Sequence, residues 1–192
     1  MGSEMCIRDR DGTDLDDPRF LPFFRRAEEL GAVVLIHPNG WDTGQRLDDY
    51  FLINVIGNPL DSTVALTRLI LSGRLASVPD LKLCVVHGGG YTPFYSARMD
   101  HAWEARPECR EFIDQPPSTY LKQVYFDSMV FSAQQLAWLV EFSGVDHVML
   151  GTDYPFDMGE SDPVGLTGQL DLSAADIASI RGGNATRLFG IS

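Results

Sequence analysis

Cysteine is scarce in this chain, and basic residues are outnumbered by acidic ones. The 192 residues include three widely spaced cysteines, which favours reduced thiols in a cytoplasmic setting over a disulfide framework. The 15 Lys and Arg residues and 27 Asp and Glu residues give a net charge of −12, which argues against a nucleic-acid partner because such a surface repels phosphates. We expect no membrane partner, since the longest apolar runs are far short of a bilayer span.

Several common catalytic signatures are also missing from the sequence. It has no phosphate-binding Walker loop, no G-x-S-x-G around a nucleophilic serine and no glycine-rich dinucleotide fingerprint. Its 44% hydrophobic residues and 10% aromatic residues are typical of a globular protein with a sizeable core, and the length is that of a single domain.

Four apolar strands alternate with helices along the chain. The pattern predicts strands at about 32–36, 81–86, 123–126 and 147–150, and helices at about 18–30, 62–75, 93–106, 133–142 and 173–189. Such alternation favours right-handed βαβ units around a parallel sheet. We therefore expect the α/β class and a (β/α) barrel.

Each predicted strand ends in a polar residue, namely His37, His87, Asp127 and Asp153. Because the carboxyl ends of parallel strands meet at one face of a barrel, we expect these side chains to lie on that face. Imidazole and carboxylate groups are the usual non-thiolate ligands of zinc, which predicts a divalent-metal site. Asp127 could instead cap the turn that follows it, and this interpretation is slightly favoured.

His87 precedes the run Gly88–Gly90. The absence of side chains there indicates that a substrate or the backbone comes close to the imidazole. Asp153 follows a buried apolar strand and is a candidate metal ligand or proton carrier. His101 is expected to be structural, and His147 is expected at the opposite end of the last strand, away from the site.

These residues together resemble a known family. From about Asp11 to the C-terminus, the chain is similar to the aminocarboxymuconate-semialdehyde decarboxylase branch of the amidohydrolase superfamily, on the motifs His37-Pro38, His87-Gly88-Gly89-Gly90 with Arg98, Gly151-Thr152-Asp153-Tyr154-Pro155-Phe156 with Gly159-Glu160, and Gly183-Asn184-Ala185.

The resemblance implies a (β/α)8 TIM-type barrel that carries out metal-dependent, non-oxidative decarboxylation of a carboxylated aromatic or muconate-like acid. It implies that His37 and Asp153 bind zinc or another divalent metal, and that His87 acts as the acid/base on the metal-bound water. His87 and Asp153 are thereby the implied catalytic residues. It further implies a homodimer in which Arg98 reaches the small-molecule carboxylate bound by the neighbouring subunit.

The family's His-x-His pair, which supplies two further metal ligands, is not in this sequence. Four strands with their helices amount to about half a barrel, which normally needs roughly 250 residues. We therefore expect residues 11–192 to be a C-terminal portion with about the last four βα units, behind a non-native or disordered leader at residues 1–10. Two alternatives stay open: a metal-dependent hydrolase of an amide, ester or lactone on the same fold, and an inactive truncated fragment with only an association role.

Overall fold

The computed structural model describes residues 3–6, 12–38 and 45–191. In chain order its strands and α-helices are β1 (Ser3–Cys6), α1 (Leu21–Glu29), β2 (Val33–His37), α2 (Asn58–Leu71), β3 (Lys82–Val85), α3 (Ser96–Ala105), α4 (Pro117–Leu121), β4 (Tyr125–Asp127), α5 (Ala133–Ser143), β5 (Val148–Met149), α6 (Pro163–Gly168), α7 (Ala174–Ala178) and α8 (Asn184–Phe189). Within these described ranges, no helix is both long enough and apolar enough to cross a bilayer.

The five strands form one parallel sheet in the order β1-β2-β3-β4-β5. Sequential parallel strands joined by helices are the arrangement of a (β/α)8 barrel, which closes with eight strands. The predicted class is therefore confirmed: the described residues form an incomplete TIM-type barrel. Strands β2 to β5 are the four that the sequence predicts.

Strand β1 was not predicted from the sequence pattern. Its backbone pairs with β2 in parallel, from Ser3 opposite Val34 to Cys6 opposite His37. Strand pairing uses backbone groups, so a segment without side-chain periodicity can still add to a sheet edge. The other leader residues, 1, 2 and 7–10, lie outside the described residues, and the non-native origin of the leader stays a prediction.

Side-chain alternation sorts the strand residues onto two faces of the sheet. The face toward the helices carries the larger part of the core, with Val34, Ile36, Leu83, Val85, Phe126 and Val148 all buried. The other face carries a smaller cluster in which Leu188 of α8 packs against Val33, Cys84 and Met149. His37 and Asp127 end their strands in register with this second face, so the barrel interior leads directly to the polar strand ends.

Helix α3 begins at Ser96 rather than near residue 93, and two further helices also differ from their predicted bounds. Helix α2 begins at Asn58 rather than near Ser62, and Asp61 and Ser62 are buried within it. A π-helical turn at Ile53–Gly57 leads directly into α2, so Pro59 lies within a continuous helical segment whose widened turn accommodates its missing N–H. The closing helix predicted at about 173–189 is interrupted by a π-helical turn at Ser179–Gly183, which separates α7 from α8.

Candidate metal centre

Three strand-end side chains meet at the carboxyl edge of the sheet. His37, His87 and Asp153 each offer one ligand atom, and these atoms lie within 4.8 Å of one another. The Nε2 atoms of His37 and His87 are each 3.5 Å from Oδ1 of Asp153. The two imidazole rings meet edge to face with centroids 5.2 Å apart. The structure thus brings together the residues that the sequence places at this edge, while their individual roles stay predictions.

His87 and Asp153 reach the cluster through unusual backbone geometry. His37 is the last residue of β2 and follows ordinary strand alternation. His87 and Asp153 come after their strands, with φ angles of +56° and +54°. Residues other than glycine rarely adopt this left-handed region, which costs roughly 1–2 kcal/mol per residue. Such strain is held where the surroundings fix it, and functional sites are common locations for it.

This backbone strain predicts opposite responses to glycine at two members of the cluster. Asp153→Gly should be more stable than Asp153→Ala by about 1 kcal/mol, because glycine adopts a positive φ without strain. His37→Gly should instead be less stable than His37→Ala by about 0.5–1 kcal/mol, because His37 lies in a strand. Chemical denaturation of the four metal-free variants measures both differences. If glycine were less stable than alanine at position 153 as well as at position 37, the left-handed backbone at Asp153 would be contradicted.

The hydrogen bonding of the imidazoles leaves two ring nitrogens facing a carboxylate. Nδ1 of His37 is 2.7 Å from the carbonyl oxygen of Pro38, and when it donates to that oxygen, Nε2 carries a lone pair. That lone pair faces the Asp153 carboxylate. Nε2 of His87 is buried and has no hydrogen-bond partner among the described residues. In this tautomer of His37, its Nε2 and the Asp153 carboxylate are two acceptors close together, which a cation between them would stabilise.

The donor set fits a divalent metal ion. Imidazole nitrogens and a carboxylate oxygen bind zinc at about 2.0–2.1 Å in a tetrahedral arrangement, which places ligand atoms roughly 3.3 Å apart. The observed separations of 3.5 Å from each Nε2 to Asp153 Oδ1 are close to this value. Both histidines lie at the same distance from Asp153 Oδ1, so the distances alone do not distinguish a metal ligand from a proton carrier.

Asp127 lies beside the cluster and bonds to the backbone. Its Oδ1 accepts the N–H of Met129 at 3.2 Å, which caps the turn at Ser128 as the sequence favoured. The same atom accepts the N–H of Gly88 at 2.8 Å, a bond that the sequence does not predict. Burial raises the pKa of the Asp127 carboxyl, while the charge of His87 and the backbone N–H groups act to lower it.

The three glycines after His87 are packed against the chain itself. A Cβ atom at Gly88 would lie 2.5 Å from Val130 Cγ1, and one at Gly89 would lie 2.5 Å from the ring of Phe126. At Gly90 it would lie 2.3 Å from the Pro59 carbonyl oxygen. The close approach of another backbone segment is therefore seen at Gly90, which also lines a pocket together with His87.

A pocket of about 460 Å³ adjoins the cluster and is lined by His87 and Asp153. Its other lining residues combine three side-chain amides with aromatic and apolar groups: Asn54, Asn58 and Gln135, and Tyr91, Phe94, Tyr95, Met129, Val130, Phe131 and Met158 among others. Sequence reasoning missed the amides, although the spacing of Asn54 and Asn58 places both on one side of a helical segment.

Arg98 does not line the pocket that contains His87 and Asp153. It is exposed on α3 and lines a neighbouring pocket, also of about 460 Å³, between α2 and α3. Tyr91 and Tyr95 line both pockets. The structure therefore keeps Arg98 apart from the cluster of its own chain.

A protein-family model described as "Amidohydrolase" matches residues 8–191. This chain belongs to the amidohydrolase family. The match begins within the predicted leader and runs almost to the end of the chain, so the resemblance carried by the strand-end motifs is confirmed.

Among similar amidohydrolases, the 2-amino-3-carboxymuconate-6-semialdehyde decarboxylase of Dictyostelium discoideum is 36% identical over 182 residues, which are 94% of this chain and 51% of that protein. A 5-carboxyvanillate decarboxylase from Sphingomonas paucimobilis superposes with a TM-score of 0.87 at 27% identity, covering 100% of this chain and 58% of that one. Its counterpart from Novosphingobium aromaticivorans, with bound manganese, gives 0.88 at 25% identity over 99% and 57%. This amidohydrolase chain thus spans about half the length of the curated relatives it matches.

Proposed function

We propose that this amidohydrolase chain carries part of the active site of a metal-dependent, non-oxidative decarboxylase. The proposed substrate is a carboxylated aromatic or muconate-like acid. The observation that carries the proposal is the convergence of His37, His87 and Asp153 at the edge of a pocket large enough for such an acid. The decarboxylases among its relatives, at 36% and 27% identity, support the same chemistry.

In this proposal His37 and Asp153 hold the divalent metal, and zinc is the metal we expect. A bound metal of this kind would supply electrophilic stabilisation of negative charge on the substrate. The bond from His37 Nδ1 to the Pro38 carbonyl supports a ligand role, because such a bond fixes the tautomer and orients Nε2. Asp153 completes the pair, since its Oδ1 faces that nitrogen.

His87 is the proposed proton carrier. In the reaction the bond between the substrate carboxylate and its carbon breaks, carbon dioxide leaves, and the electron pair left on that carbon takes a proton from Nε2 of His87. In the part of the chain that the structure describes, this buried nitrogen has no hydrogen-bond partner, which supports the role because Nε2 is available to a substrate. The aromatic and methionine side chains of the pocket suit a flat, unsaturated acid.

Arg98 is proposed to act across a homodimer. Its guanidinium is exposed and lines a pocket beside, but separate from, the one at the cluster. A bidentate pair between this group and the carboxylate of a substrate bound by the other protomer would give orientation as well as binding energy. The free thiols of Cys84 and Cys109 are in keeping with the proposed cytoplasmic location.

The test measures carbon dioxide and acid release from a panel of carboxylated aromatic acids, esters and lactones, with zinc or manganese added. We expect metal-dependent carbon dioxide release that His87→Ala lowers by at least about 100-fold, the scale of a lost general acid. His101→Ala is the matched control, because His101 is exposed on α3 outside the cluster. Acid release without carbon dioxide would indicate a hydrolase instead of a decarboxylase. The absence of both products would favour an association role.

A further inference from the structure

Asp127 stands between the two segments that carry His87 and Asp153. Its strand, β4, pairs with β3 on one side and with β5 on the other. Asp127 ends β4 and is opposite Met149 of β5. Among the described residues it is not part of the metal-ligand cluster. Its place in the sheet nevertheless puts its side chain against both neighbouring strand ends.

On the β3 side, the carboxylate holds the peptide that follows His87. Oδ1 of Asp127 accepts the N–H of Gly88 at 2.8 Å. A backbone N–H bonded to a carboxylate is a charge-assisted bond and is stronger than a neutral one. Because His87 has a φ of +56° and Gly88 a φ of +59°, this bond secures two consecutive left-handed residues, of which the non-glycine His87 is strained. The direction of the imidazole depends on that conformation.

On the β5 side, the same carboxylate packs against Gly151. A Cβ atom at Gly151 would lie 2.9 Å from Asp127 Cβ and 3.1 Å from its Oδ2. The N–H of Gly151 also donates to Ser128 Oγ at 3.1 Å, beside Asp127 in the chain. Gly151 comes two residues before Asp153, so the position of Asp127 and the start of the Asp153 segment are set by direct contact.

We infer that Asp127 is a positioning residue that holds the His87 segment and the Asp153 segment at the separation the cluster needs. The inference rests on the proposed roles of His87 and Asp153. Asp127 acts through its bond to Gly88 and its contact with Gly151, and it need not touch a substrate or a metal. Glycine at position 151 is required for this contact, because any side chain would displace the carboxylate.

The first measurement is the NMR signal of each imidazole in the metal-free 192-residue chain, which has four histidines. Asp127→Ala should move the His87 signal and leave that of His147, at the other end of the sheet, in place. Asp127→Asn should restore much of the wild-type position, because its amide oxygen can still accept the Gly88 N–H. Gly151→Ala should also move the His87 signal, with the carboxylate retained.

The matched control is Asp100→Ala. Asp100 also accepts a backbone N–H from another segment, that of Ser118 at 2.9 Å. Its replacement by alanine should leave the His37 and His87 signals unmoved. A carboxylate that only supported the fold would lower the melting temperature when replaced, without moving the imidazole signals of the folded chain. If Asp127→Ala fails to fold, the Asp127→Asn and Gly151→Ala chains still decide between these results.

The second measurement is zinc affinity, followed by the same NMR signals. Asp127→Ala should weaken zinc binding by about 10–100-fold, the usual effect of losing a residue that orients a ligand, and Asp127→Asn should recover most of it. Wild-type imidazole signals and wild-type zinc affinity in both Asp127→Ala and Gly151→Ala would overturn the inference. If zinc leaves the His37 and His87 signals of the wild type unchanged, the proposed metal site is wrong. The metal-free spectra alone then test whether Asp127 positions the His87 segment.

Discussion

Replacing Asp153 with alanine should remove divalent-metal binding, with a loss of at least about 100-fold in zinc affinity. Losing a residue that merely orients a ligand already costs roughly 10–100-fold, and losing a ligand should cost no less. Asp153 is the central group, because its Oδ1 is 3.5 Å from the Nε2 atoms of both His37 and His87. Isothermal titration with zinc and metal analysis after dialysis both measure the effect. Wild-type zinc affinity in this variant would place the metal elsewhere.

The two histidines should respond differently to the same substitution. His37→Ala should lose metal as Asp153→Ala does, whereas His87→Ala should keep most of its metal and lose turnover. His101→Ala provides the baseline, since this histidine is exposed on α3. Equal loss of metal from His37→Ala and His87→Ala would show that His87 is a third ligand. The proton would then have to come from another group in the pocket.

The second large effect is expected at Gly90, where alanine should destabilise the folded chain by about 3 kcal/mol. Gly90 has a φ of +64° and a ψ of −132°, a combination that is nearly confined to glycine. A Cβ atom would also lie 2.3 Å from the Pro59 carbonyl oxygen and 2.8 Å from Thr63 Oγ1. For a chain of this length the change corresponds to a fall in melting temperature of roughly 6–12 °C.

Gly190→Ala is the matched control for this substitution. Gly190 has the same φ of +64°, but no atom of the described residues lies within 4 Å of the position of its Cβ atom. It should therefore lose only the roughly 1–2 kcal/mol of left-handed strain. Thermal unfolding of both variants by circular dichroism makes the comparison. Equal melting temperatures would mean that Gly90 does not pack closely against the start of α2.

The fold was largely predictable because the parallel strands are short apolar runs separated by helices. The strand Val33–His37 and the helix Ala133–Ser143 lie within about a residue of their predicted bounds. Strand β1 was not predictable, since its residues show no side-chain periodicity and the strand is defined by its backbone pairing with β2. The start of α2 was also misplaced, because Asp61 and Ser62 have the residue types of a helix cap and are buried within the helix instead.

The site was predictable in its members and not in its geometry. His37, His87 and Asp153 could be found because strand ends of a parallel sheet share one edge. The left-handed backbone at His87 and Asp153 leaves no mark in the residue types, since neither is glycine. The second bond of Asp127, to Gly88, depends on which strands are neighbours and how far each extends. That information arises only once the sheet has assembled.

The cluster also has a consequence for the order of events in folding. His37 and Asp153 are separated by 116 positions along the chain, and they meet only through the pairing of the strands between them. Contacts of such long sequence separation carry a large loop-closure entropy and form late. During synthesis the His37 segment leaves the ribosome well before Asp153 has been made. Zinc capture at this edge would therefore report that the last strand of the sheet has joined the others.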